Sequence, residues 1–457
     1  MNGRQFQRQQ GAKQQELLRT TVRKHLSADA LIANVRSSFE EVDEPGTGNP
    51  EIPIADALMS AFAMFSLKSP SLLAFEKKWK AEDNNLKSVY KLKKVPSDTQ
   101  MRTRLDQVSP DALRSAHNAI FNELQRGKGL EKMHYLEEGY LLPLDGTGYF
   151  TSEKLYSPFC LQKSSRTGKT TYYLQMLGAA LVHPDRKEVI PLIPEIISRQ
   201  DGDTKNDYEL AASRRFLTTL RHEHPHLKIV VTQDAISPNG PYIRFLKELD
   251  YRFILTVKEA DHAHLFAQLD DAVESKEAKE SALDDPKDTK RFHYFRWMNG
   301  LSINASHPDV LLNVLEYWEV KGEVTKRFCW VTDIPLSEEN VYRIMRAGRA
   351  RWKIENETFN TLKNQGYNFE HNYGLGQQYL SMVFVKLMML AFLVDQVQQL
   401  CCALFQSVWK KLGSKRALWE DMRSLFSCFK LESMEMLYLA LLHGFVRAEP
   451  IIECDTS

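Results

Sequence analysis

The sequence predicts an α/β (α+β) chain: helices flank a mixed sheet, with a strand-rich insertion and helical regions at both ends. Three observations predict it. A central stretch alternates strand-like runs with helix-compatible ones, the segment after it carries alternating strand-like pieces, and the two outer stretches are helical with few strand signals. With 457 residues, 43% of them hydrophobic, the chain is long enough for several domains and a large core. Its 60 Lys and Arg against 59 Asp and Glu give a net charge of +1, which excludes a uniformly basic coat protein and an acidic disordered chain. Local basic faces survive such a sum. Six cysteines (Cys160, Cys329, Cys401, Cys402, Cys428, Cys454) lie scattered without a Cys-x-x-Cys pair, the pattern of a reduced cytoplasmic protein with no zinc site. No basic start leads into an apolar run with a cleavage site, so export is not expected. The most apolar run, Leu380 to Val397, is interrupted by Lys386 and Asp395 and reads as a buried helix, with no membrane partner implied.

Residues 1–135 read as helical and polar. Between Lys68 and Arg104, ten basic residues face four acidic ones (Glu76, Glu82, Asp83, Asp98), with Phe75, Trp79 and Tyr90 interleaved. That stretch is a candidate for gripping DNA phosphates through Lys77, Lys78, Lys91, Lys93 and Lys94. A solvated helix face with core aromatics accounts for it equally well.

Residues 136–257 form the first part of a core. Tyr140 to Leu144 is a strand-like run that stops at Asp145-Gly146-Thr147-Gly148, where Gly marks a sharp exit. Tyr172 to Val182 and Val189 to Ile193 are two more, joined by a hairpin loop. A helix-compatible stretch covers 203–223, a fourth strand 228–232, a helix 241–250 and a fifth strand 251–257. Three strands, helix, strand, helix, strand is the order of a ribonuclease-H-like sheet, in which the first and fourth strands lie parallel and adjacent. Residues 258–330 then read as an all-strand insertion. The core resumes over 331–375 with a long helix from Ser337 to about Asn364, and 376–457 is an apolar helical region for packing.

Asp145 and Asp234 stand where the first and fourth strands end. The carboxyl ends of parallel strands face the binding crevice, so the two carboxylates would converge there and share a divalent cation against their mutual repulsion. Turn chemistry alone also explains an Asp at a strand exit. A third acid comes from the long helix: Trp352, Glu355, Phe359 and Leu362 fall on one stripe at i, i+3, i+7 and i+10, and a carboxylate on an apolar stripe needs a partner or a metal. An i,i+4 pair between Arg351 and Glu355 is the structural alternative. Glu357 projects from the opposite side.

Asp145 in Leu-Asp-Gly-Thr, Asp234 followed by Ala235, and Arg351-Trp352-Lys353-Ile354-Glu355 on a helix together resemble the Asp-Asp-Glu motif of bacterial insertion-sequence transposases, closest to the insertion sequence four type. The resemblance covers about residues 140–375. It implies a ribonuclease-H-like DNA transposase that uses Asp145, Asp234 and Glu355 to hold two Mg2+ ions, replaceable by Mn2+. Its partners would be the double-stranded terminal inverted repeats and target DNA, bound by a homodimer in the bacterial cytoplasm at the nucleoid. Arg351 matches the Arg of the group's Tyr, Arg, Glu, Lys signature and would hold a backbone phosphate. The signature Tyr is Gly348 here, and the signature Lys falls on Leu362, with Lys363 one place later. A plain nuclease of the same fold and a non-catalytic DNA-binding descendant are the alternatives.

Phe328 and Trp330 alternate on the strand before the long helix and are candidates for stacking on a flipped base, against the alternative of core aromatics. Arg166 to Thr170 resembles the tail of a P-loop without its first Gly, and His222, His224 and His226 alternate in a loop without metal-site spacing. Lys205 to Glu209 resembles a recurring stretch of the same transposase group, with Lys205 and Glu209 spaced to pair on a surface.

Overall fold

The computed structural model describes residues 24–46, 48, 50–79, 84–165, 168–197, 205–234, 238–285, 288 and 290–444. Cys454, Ala235, Arg166 and Thr167 lie outside them, as does the side chain of Lys205.

The N-terminal region is helical: α1 (Ala28–Glu40), α2 (Ile54–Ser66), α3 (Leu72–Trp79), α4 (Asn84–Tyr90), α5 (Asp98–Leu105) and α6 (Arg114–Arg126). Local chemistry sets the starts. Ser97 caps α5 in a capping box with Gln100, and Ser27 accepts from the Ala30 amide at the start of α1. The expectation of a polar region fails at α2, which is buried at every position, Asp56 included. It can be so because it packs against another apolar helix far along the chain.

The sheet is mixed. Its strands are β1 (His134–Leu136), β2 (Gly139–Ser152), β3 (Leu161–Ser164), β4 (Thr170–Leu181), β5 (Ile190–Pro191), β6 (Glu195–Ile197), β7 (Ile229–Gln233), β8 (Arg252–Thr256), β9 (Lys279–Asp284), β10 (Arg291–Ser302), β11 (Leu311–Lys321) and β12 (Val324–Thr332). The order is β3-β4-β2-β7-β8-β12-β11-β10-β9, with β1 on β2 and with β5 and β6 on β4. β2, β7 and β8 run parallel, and the other pairings are antiparallel. Helix α7 (Lys205–Glu223) connects the antiparallel part to β7, and α8 (Gly240–Glu248) connects β7 to β8.

Two expectations are corrected here. The first long strand does not stop at Asp145-Gly146, because β4 goes on pairing with β2 as far as Ser152↔Tyr172. The insertion is not all strand: it opens with helix α9 (Ala263–Glu274), whose Leu265, Phe266 and Leu269 are buried. Its strands extend the same sheet from β8 instead of forming one of their own.

The predicted helix from Ser337 also differs. Regular helix α10 spans Val341–Arg349, a 3-10 turn follows at Ala350–Trp352, a π turn at Ile354–Phe359, and helix α11 covers Asn360–Asn364. The i→i+5 hydrogen bonding of the π turn under-winds the chain relative to 3.6 residues per turn and shifts the register. The expected stripe is therefore broken: Ile354, Phe359 and Leu362 are buried while Trp352 and Glu355 face solvent.

The C-terminal region contains α12 (Leu380–Cys401), α13 (Ala403–Leu412), α14 (Lys415–Cys428) and α15 (Met434–His443). α12 is long and apolar enough to cross a membrane, yet 94% of its apolar window is buried inside the fold, much of it against α2. Caps cross between the two helical regions. Asp106 accepts from the amides of Gln378, Tyr379 and Leu380 at the start of α12, and Asp29 accepts from Met434 at the start of α15.

Candidate active site

Parallel pairing of β2 with β7 runs from Tyr140↔Ile229 to Pro143↔Thr232. Asp145 and Asp234 each stand two residues past that last pair, so they occupy the same row at the carboxyl ends of neighbouring parallel strands. They share a pocket with Leu144, Leu177, Glu209, Leu210 and Gln233. The end of β7 is fixed by Gln233, which donates to the Ser213 hydroxyl at 3.0 Å and accepts from the Tyr242 hydroxyl at 2.5 Å.

Two glycines make room around Asp145. A Cβ on Gly146 would lie 2.5 Å from the Glu209 Oε1, so Gly146 serves close approach of α7 to β2 and not a turn. Gly178 is the cross-strand partner of Asp145, and a Cβ there would lie 2.6 Å from the ring of Phe359. Phe359 seated on that glycine docks the π turn onto the sheet beside Asp145. The sequence leaves Glu209 open between a surface pair with Lys205 and a supporting role near the acids; the signal for its inward position is the glycine after Asp145.

Arg351 links the acids. Its Nη1 lies 3.8 Å from Asp145 Oδ2 and 3.4 Å from Glu355 Oε1, so the i,i+4 pair expected as the structural alternative is present, with Asp145 added to it. The Arg351 side chain is 13% exposed and that of Glu355 48%. Burial pushes the Asp145 carboxyl up to about 7; Arg351 opposes the rise, while Glu355, Glu209 and Asp234 add to it. Arg351 thus bridges two of the carboxyl groups gathered around Asp145. Among the described residues no group of three or more His, Cys, Asp or Glu side chains is gathered closely enough to hold a metal ion. The donor chemistry nevertheless suits a hard divalent cation, because the donors are all carboxylate oxygens.

The other nominated residues are distributed as follows. Trp330 is 3% exposed, and its indole fills the space where a Cβ on Gly348 would lie 2.6 Å from Cε2 and Nε1. The residue standing at the signature Tyr position is therefore glycine because α10 presses on Trp330. Phe328 stacks on Trp330 at 5.9 Å and carries the Arg349 guanidinium 4.3 Å above its ring. Lys363 pairs with Glu370 at 2.8 Å. Lys77, Lys78, Lys91, Lys93 and Lys94 are exposed, whereas Phe75, Trp79 and Tyr90 are buried core aromatics. Lys68 is buried on Asp395 and unavailable to any phosphate. On its far side the π turn, through Asn356 and Glu357, walls a cleft of about 660 Å³ with Arg291, Tyr317 and Arg349. His224 packs on Phe121, and Lys169 lies 3.6 Å from Glu153.

No family model matches the chain, and no curated protein matches its sequence.

Proposed function

We propose that the chain is a metal-dependent DNA transposase built on a ribonuclease-H-like sheet. One observation carries the reading: two aspartates in the same row at the carboxyl ends of adjacent parallel strands, with the Arg351–Glu355 turn docked over them through Phe359 on Gly178. An open sheet binds its ligand at that edge, and the strand order β3-β4-β2-β7-β8 supports the fold assignment.

Asp145, Asp234 and Glu355 would hold one or two Mg2+ or Mn2+ ions. When bound, the cations neutralise charge on the attacking and leaving oxygens of an in-line displacement at phosphorus. Arg351 binds a backbone phosphate through its planar fork, and Phe359 on Gly178 fixes the orientation of the turn that carries it. Water as nucleophile nicks the DNA and frees a 3′ hydroxyl. That hydroxyl then attacks a second phosphodiester at the same acids, which joins ends to a target. The substrates are terminal inverted repeats and target DNA, held by a homodimer on the bacterial nucleoid, and the exposed lysines between Lys77 and Lys94 supply sequence-independent grip.

The test is nicking of a duplex copied from the DNA flanking the gene. Asp145→Ala, Asp234→Ala and Glu355→Ala should each lower the rate by roughly 10³-fold, about 4 kcal/mol, in protein that circular dichroism shows to be folded. Full activity in any one of them removes that residue from the site. Nicking without joined products makes the protein a plain nuclease, and binding without nicking makes it a non-catalytic descendant.

A further inference from the structure

We infer that Arg351 couples cation binding to DNA binding: its guanidinium holds the carboxylates of Asp145 and Glu355 in place of a divalent cation, and releases them when a DNA phosphate takes it. The inference rests on the reading of the site as a metal-dependent DNA enzyme.

The geometry is that of a shared ligand. A single nitrogen, Nη1, reaches Asp145 Oδ2 at 3.8 Å and Glu355 Oε1 at 3.4 Å, from opposite sides of the junction between strand and π turn. Both contacts are long beside the 2.7 to 2.9 Å of a charge-assisted hydrogen bond. Other arginine pairs of this chain close fully, as Arg346 does on Asp185 at 2.7 Å and Arg252 on Asp333 at 2.9 Å. The Arg351 contacts, like those of Arg349 and Arg291 on Glu319 at 3.8 Å, belong to the looser set and are open to exchange. Glu355 is half exposed, while Asp145 is held in the strand.

Two competitions follow. A cation approaching Asp145 and Glu355 must displace the guanidinium, and a phosphate approaching Arg351 must draw it from the same two carboxylates. Each ligand removes the competitor of the other. By linkage, a phosphate on Arg351 then raises cation affinity by the same factor as the cation raises phosphate affinity. The carboxylates stay partnered until substrate arrives, which ties cation loading to the presence of DNA.

The test uses the full chain and Mn2+, with free Mn2+ followed by electron paramagnetic resonance. Without DNA, Arg351→Gln is expected to bind Mn2+ about tenfold more tightly than wild type, since one positive charge has left the two carboxylates. Adding a short duplex copied from the gene's flank should tighten Mn2+ binding to wild type by a similar factor and leave Arg351→Gln unchanged. Circular dichroism checks the fold of the variant. Should the Gln side chain prevent folding, Arg351→Lys, which cannot bridge both acids, is expected to show a smaller rise. Equal or weaker Mn2+ binding in the folded variant, with Asp145→Asn still abolishing binding, overturns the coupling and leaves the metal-enzyme reading standing. Mn2+ binding that ignores Asp145→Asn in every arm overturns both.

Discussion

Two clusters of cation and carboxylate in this molecule are built on opposite plans. In the helical body, Lys68 lies 2.5 Å from Asp395, donates to the Ser66 carbonyl at 2.9 Å and sits 4.3 Å from the rings of both Tyr367 and Trp419; the Tyr367 hydroxyl donates to the same carboxylate. Lys68 and Asp395 side chains are 0% and 5% exposed. At the sheet edge, the Arg351 guanidinium lies 3.8 Å from Asp145 and 3.4 Å from Glu355, and Glu355 is half in solvent. The first cluster matches charge one to one and satisfies its hydrogen bonds internally, as a buried pair must. The second holds its carboxylates at longer range and leaves Glu355 in contact with water. A closed pair fastens elements together, here the end of α2, the Tyr367 segment after α11, and α12; an open one leaves its groups within reach of solvent.

Breaking the closed cluster should have the largest effect on stability. Lys68→Met leaves Asp395 buried without its cation and is expected to cost about 3–5 kcal/mol. Urea unfolding measures it, and a loss under about 1 kcal/mol would show that water already reaches the pair. The frame around the open cluster comes next. The side chain of Gly348→Tyr must enter the space of the Trp330 indole, at a cost of about 1–3 kcal/mol by overpacking. A neutral outcome in thermal melting would mean that α10 can lift from β12.

The smallest effect has the opposite sign. Burial, then the neighbouring carboxylates, raise Asp145 from its ordinary 3.8 to about 7. The folded chain then keeps a proton that the unfolded chain has released, so this group's contribution to stability falls as pH rises through that window. Asp145→Asn should gain about 1 kcal/mol at pH 8 and nothing at pH 3, read from urea titrations at the two pH values. A stability loss at pH 8 would mean that Arg351 more than offsets the neighbouring acids.

Much of the frame was legible in residues. Alternation and turn chemistry marked β2, β4, β7 and β8 and the helices between them, and with them the strand positions of Asp145 and Asp234. The short strands β3 and β6 were not visible, because three or four residues carry too little pattern and form only against the far edge of β4. The aromatics interleaved with lysines looked like a stacking surface. Their burial depends on helices more than 300 residues away, as the Trp79 contact with Phe426 shows.

The sequence by itself determined where the candidate residues stand along the chain: Asp145 and Asp234 at the ends of two strand-like runs, Arg351 four residues before Glu355, and an apolar helix that its own Lys386 and Asp395 mark as a core element. Only the tertiary structure decided what those residues face. Gly146 and Gly178 became seats for Glu209 and Phe359, Trp330 took the space at Gly348, and Lys68 left the basic stretch for the core. The reason is that periodicity reports local geometry. Close approach, charge pairing and a π turn that rotates a side chain off its expected stripe are set by contacts between segments that no local pattern encodes.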